Sequence, residues 1–115
     1  MTAARLEHIN MTVSDPHATA AWLGRVFGWK IRWEGAGMQT GYSVHCGDDD
    51  TYVALFTYPE TPGPKDESYV TLGGFNHWAV VVDDLDEVVE RVKAEGFETK
   101  SHADYEPGRR FYFFY

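Results

Sequence analysis

The sequence predicts an α+β fold built from two copies of one module. Each copy runs strand, helix, strand, strand, strand, and the second stops short of its last strand. Three observations carry this. The stretches "LEHINMTVSDPHATAAWLG" (6–24) and "FNHWAVVVDDLDEVVERVK" (75–93) share one pattern: a histidine in third place, alternating apolar residues, an acidic break and a helix-like segment. His8 and His77 stand 69 positions apart, and at that offset Met11 meets Val80, Val13 meets Val82 and Asp15 meets Asp84. The offset then slips to 68, where Gly28 meets Gly96 and Trp29 meets Phe97, as in diverged copies of one unit.

The opening strand spans 6–14. Ile9, Met11 and Val13 share one face by the two-residue period, and Leu6, His8, Asn10 and Thr12 share the other. Its repeat at 75–82 keeps the parity: Trp78, Val80 and Val82 oppose Phe75, His77, Ala79 and Val81. A helix laid on the apolar face of each strand leaves both histidines on the far side of the sheet. The first helix follows from Ser14 or Asp15 as N-cap, Pro16 in the first turn, an apolar stripe of Ala18, Trp22, Leu23, Val26 and Phe27, and Gly28 as stop. The second follows from Asp84 as cap, the stripe Leu85, Val88, Val89 and Val92, and Gly96 as stop.

Strand-like runs follow the first helix at 30–34, 42–46 and 52–58, separated by the turn-rich "GAGMQTG" and "GDDDT"; the last two read as a hairpin. "PETPGPKDES", dense in proline and charge, reads as the join, giving a first module at 1–60, a linker at 61–73 and a second module at 74–115. The second module supplies strands at 97–101 and 109–115. The counterpart of 52–58 would fall past Tyr115, so the native chain is expected to continue, and the aromatic edge formed by Phe111, Phe113 and Phe114 is expected to be poorly covered.

Composition narrows the function. The 115 residues suit one compact domain or two small modules sharing a core, and a hydrophobic fraction of 43% argues for a folded chain. A net charge of −8 argues against nucleic acid or an anionic membrane surface as partner, because phosphate needs a basic face. The single cysteine, Cys46, excludes an intrachain disulfide. With no bilayer-length apolar run and no secretion-signal pattern in "MTAARLEHIN", the expected location is the cytoplasm.

The paired modules opened by "LEHINMTVSD" and "FNHWAVVVDD", with "EPGRRFYFFY" leading toward a final strand, resemble the vicinal oxygen chelate superfamily. It includes glyoxalase I, bleomycin-resistance proteins, fosfomycin-modifying transferases and extradiol dioxygenases. The resemblance implies sheets curled into half-barrels with a helix on the outer face, pairing around a metal and a small substrate, usually across a homodimer. It implies His8 and His77 as metal ligands. The metal would be Fe, Mn, Zn or Ni, a range that two imidazoles and a carboxylate suit. It also implies a lyase, isomerase, thiol transferase or dioxygenase that chelates adjacent substrate oxygens; the alternative is a non-catalytic small-molecule binder of the bleomycin-resistance type. The sequence departs from glyoxalase I at Ala54, where that enzyme carries a glutamate ligand, so the carboxylate is expected beyond Tyr115.

Tyr52 and Phe56 share the Ala54 face by parity and are candidate substrate-binding residues, with Arg110 as a candidate partner for an anionic group. The remaining polar residues read more plainly. His45 and Cys46 are adjacent, so they point to opposite faces and cannot chelate together; His45 reads as ordinary and Cys46 as a small buried hydrophobe. His17 reads as a solvated residue at the helix start, His102 as a loop residue and Glu60 as an acid past the end of its strand. Asp48, Asp49 and Asp50 read as a solvated turn, lacking the ligand spacing of a calcium loop. Trp33, Tyr42 and Trp78 read as core or interface residues.

Overall fold

The computed structural model describes residues 2–37, 40–60, 63, 68–105 and 108–115. The elements run β1 (His8–Thr12), α1 (Pro16–Phe27), β2 (Lys30–Ala36), β3 (Tyr42–Gly47), β4 (Tyr52–Thr57), α2 (Leu85–Ala94), β5 (Thr99–Tyr105) and β6 (Gly108–Phe113), with a short 3₁₀ turn at Ser68–Val70. The fold is α+β, with six strands in two sheets among the described residues: one ordered β1-β4-β3-β2, the other the pair β5-β6. Residues 61, 62 and 64–67 of the expected linker lie outside the described residues.

Local chemistry sets the helix ends. Asp15 is extended and its carboxylate accepts from the Ala18 backbone N–H at 3.1 Å, while Pro16 opens α1 where no hydrogen bond is lost. Gly28 takes the left-handed conformation (φ 75°) and donates to the Gly24 carbonyl, closing the helix. The Asp84 carboxylate caps α2 through the Glu87 N–H at 3.1 Å, and Gly96 turns the chain away at φ 93°.

The core lies on one face of the larger sheet. Leu23 and Val26 of α1, Val44 and Cys46 of β3, Leu55 of β4 and Val92 of α2 are fully buried together. Each such aliphatic side chain contributes about 1.5–3 kcal/mol of transfer free energy. Cys46 is the small buried hydrophobe expected, and burial raises its thiol pKa to about 11. The modules join through their helices: α1 packs on α2, Arg25 forms a two-pronged pair with Glu95 at 2.7 Å, and Trp22 packs edge-on to Phe97 and Phe113. Helices therefore lie between the two sheets. The faces carrying His8 and His77 both turn away from that layer.

Residues 75–82 differ from expectation. They keep the strand alternation, with Trp78 and Val82 packed on the core and Val81 99% exposed, but they form no ladder. In module one, β1 pairs only with β4, parallel and in register from His8↔Tyr52 to Thr12↔Phe56. No counterpart of β4 follows β6 among the described residues, so 75–82 runs extended without the strand that would pair with it. The expected aromatic edge is also corrected. Phe111 and Phe113 pack against the core, and only Phe114 at 70% and Tyr115 at 60% stay well exposed. Even Tyr115 lies over Trp22 and hydrogen-bonds Thr19 through its hydroxyl.

Candidate functional site

Register brings the module-one candidates to one face. His8 lies opposite Tyr52, and Ala54 lies between Asn10 and His45. The His8 and Tyr52 rings stack at 4.8 Å with 11° between planes. On the same phenol stacks His45, at 4.5 Å and 21°. Glu7 anchors the group from the edge: its Oε1 lies 2.9 Å from His8 Nδ1 and accepts from Tyr52 Oη at 3.2 Å. These two bonds hold the Glu7 carboxyl below its ordinary pKa, the histidine contact being the larger cause. With Nδ1 donating to Glu7, His8 keeps its Nε2 lone pair free on an exposed ring, the arrangement that orients a metal-binding imidazole.

A bulge in β2 completes this face. The β2–β3 register steps from Ile31↔Cys46 to Trp33↔His45, so Arg32 is an extra residue. Arg32 and Trp33 consequently share the His45 face: the Arg32 guanidinium lies 4.7 Å from the Tyr52 ring centre and Trp33 lies 4.9 Å from His45. Trp33, expected in a core or interface, is 50% exposed here. Phe56 sits farther along β4 on the same face, against Gly37 and Gly41. Gly37 and Gly41 make room for it, since a β-carbon on Gly41 would fall 2.3 Å from the Phe56 ring.

Module two presents a second, smaller group. His77 is exposed and lies 5.5 Å from the Tyr112 ring, and the Arg110 guanidinium sits 5.0 Å over the same ring. Arg110 also donates to the Ser101 carbonyl at 3.0 Å, at a bulge of β5 where Ser101 is left-handed (φ 55°). Each module thus sets a histidine and an arginine against one tyrosine ring, although Tyr52 and Tyr112 come from non-equivalent strands.

Several other readings change or hold. His45 belongs to the module-one face rather than being an ordinary strand residue; its opposition to Cys46 holds, and that opposition is what turns it toward His8. His102 is a β5 residue rather than a loop residue, bonded to Thr99 Oγ1 at 2.9 Å and stacked on Phe111. It lines an open groove of about 490 Å³ between α2 and the β5–β6 pair, with Leu85, Val89, Asp104, Arg109 and Arg110; neither His8 nor His77 reaches that groove. His17 is exposed but engaged, bonded to Glu34 at 2.8 Å. The Asp48–Asp50 stretch is a turn in which the Asp48 carboxylate accepts from the Asp50 and Thr51 backbone N–H groups at 2.8 Å, which keeps its pKa low. Glu60 is exposed and lies past the end of β4.

Among the described residues, no three His, Cys, Asp or Glu side chains converge as a metal-holding set. None of the described helices is long and apolar enough to cross a membrane.

An opening segment with strand alternation, a helix and further strands, repeated once with a histidine beside a tyrosine ring in each copy, is the pattern of paired β-α-β-β-β modules. The chain belongs to the Glyoxalase/Bleomycin resistance protein/Dioxygenase superfamily, whose model matches residues 5–115. Solved structures share the fold at low identity. SMU.1112c superposes with a TM-score of 0.75 at 16% identity, covering 98% of this chain and 92% of that one. The fosfomycin resistance protein FosX of Listeria monocytogenes, as an E126Q mutant with Mn(II) and 1S,2S-dihydroxypropylphosphonic acid, gives 0.70 at 21% identity, covering 98% and 85%. FosX of Mesorhizobium loti gives 0.68 at 21% identity, covering 98% and 84%. No match to this sequence was found among the curated proteins.

Proposed function

We propose that the protein is a metal-dependent enzyme whose metal is held by His8 of one chain and His77 of a second copy, and which acts on a small substrate offering two adjacent oxygens. The observation that carries this reading is the Glu7–His8 pair. A strand imidazole stacked on Tyr52 and bonded at Nδ1 to a carboxylate presents Nε2 outward, the donor chemistry of a first-row divalent ion. When bound, such a metal polarises the substrate oxygens and favours an enolate-like anion. FosX of Listeria monocytogenes, crystallised with Mn(II), supports the choice of ion to test first.

The chain's own groups have separable roles. Glu7 fixes the His8 tautomer and ring plane. Tyr52 and Phe56 form an aromatic wall that excludes water from one side of the substrate, and Arg110 offers a fixed cation on the module-two side. Ala54 brings no ligand, so further oxygen donors come from the substrate, from water or from a carboxylate outside this face. Apolar surface flanks both histidines, with Trp33 exposed in module one and Phe75, Val81 and Phe114 in module two, which suits burial in a homodimer. Since the helices hold the two faces apart within a chain, a second copy must supply the facing half.

Mn(II) binding by equilibrium dialysis tests the reading. The protein is expected to bind one ion per chain, and His8→Ala and His77→Ala are each expected to lose it. Retention of full stoichiometry by either variant removes that ligand. A wild-type protein that takes up no divalent ion yet still binds small aromatic molecules would instead be the non-catalytic binder.

A further inference from the structure

We propose that Arg32 and His45 form a subsite for an oxyanion of the substrate, a carboxylate or phosphate group, beside the His8 position; the inference deepens the proposed function and rests on it for the neighbouring metal. The first support is the β2 bulge. Strand alternation would send Arg32 and Trp33 to opposite faces, and the extra residue brings both to the His45 side. The guanidinium is thereby laid over Tyr52, the ring on which His8 and His45 also stack.

The second support is charge. The chain carries eight more acidic than basic residues, and Arg25, Arg91 and Arg109 are all paired, with Glu95, Glu87 and Asp86. Arg32 has no carboxylate within ion-pair distance among the described residues. Glu7, the nearby acid on this face, already serves His8 and Tyr52.

The third support is His45. Its ring is half-buried between Tyr52 and Trp33, and neither nitrogen has a hydrogen-bond partner among the described residues. His8, His45 and Arg32 all lie within 4.8 Å of one phenol ring, and the acid of this face, Glu7, is bonded to His8 and to the Tyr52 hydroxyl, not to Arg32 or His45. A planar guanidinium fork with an adjacent imidazole N–H matches two oxygens of a carboxylate or phosphate.

The test uses ¹⁵N-labelled full chain freed of metal with EDTA. It is titrated separately with inorganic phosphate and with acetate while the Trp33 indole and His45 ring signals are followed. Saturable shifts of both signals with at least one anion are expected, and the tighter of the two identifies the group the subsite prefers. Arg32→Gln should weaken that affinity by about tenfold or more, and Arg32→Lys, which keeps the charge without the fork, by less. Arg32 is exposed, so both variants should keep the wild-type amide spectrum elsewhere. Non-saturating shifts with both anions, or an isotherm unchanged in Arg32→Gln, would overturn the proposal. Because the titration is free of metal, failure of the His8–His77 reading would show only in the separate Mn(II) measurement.

Discussion

At the residue scale the decisive pair is Glu7 and His8. An imidazole stacked on Tyr52 can still carry its proton on either nitrogen, and the Glu7 carboxylate favours one tautomer by accepting from Nδ1. Glu7→Gln keeps the shape and loses the charge, so Mn(II) affinity should fall roughly tenfold to a hundredfold, in line with carboxylates that orient ligating histidines. Dialysis showing equal affinity in the variant would leave Glu7 as mere surface. Parity alone was enough to place His8, Tyr52 and Phe56 on one face, because β1 and β4 are regular and pair in unbroken register. The shared facing of Arg32 and Trp33 escaped it for a specific reason. A one-residue bulge in β2 has no signature in "KIRWEG", and it reverses the facing of everything on one side of it.

At the element scale, two segments with the same sequence pattern meet different ends. β1 has β4 to pair with, and 75–82 has no such neighbour among the described residues. Hydrogen exchange should separate them: amides of β1 should be protected as part of the global fold, and amides of 77–81 should exchange at close to unpaired-chain rates. Equal protection would mean that 75–82 finds a strand partner in solution. Between the helices, Arg25 is the main cause of the lowered Glu95 pKa, through its hydrogen bond, with the coulombic attraction adding to it. A depressed carboxylate pKa contributes stability that is present above its unfolded value and lost as pH falls through the folded one. Glu95→Gln should therefore melt slightly lower than wild type at neutral pH, by about 2 °C given the exposure of Arg25. The difference should vanish once the pH drops below the carboxylate range. A gap that persists at acid pH would point to packing rather than charge. Helix limits were readable from Asp15, Gly28 and Asp84 because capping is local chemistry. The fate of 75–82 was not, because pairing depends on a strand distant in sequence.

At the scale of the whole molecule, the two modules stand back to back. Their helices share the core, and the faces with His8 and His77 look outward. The repeat made the two histidines equivalent in the sequence, but which partner each one meets is set by packing between helices. On the proposed reading, two outward half-sites with exposed apolar residues at their edges make assembly part of the site. The most direct test mixes two defective chains. His8→Ala and His77→Ala homodimers should each bind no Mn(II). After subunit exchange, mixed dimers pair the intact His8 of one chain with the intact His77 of the other at one of their two sites. Equal mixing should therefore restore about one quarter of the wild-type Mn(II) stoichiometry, as two-fold symmetry with random exchange requires. No recovery after verified exchange, or full binding by either variant alone, would contradict a metal site shared between chains.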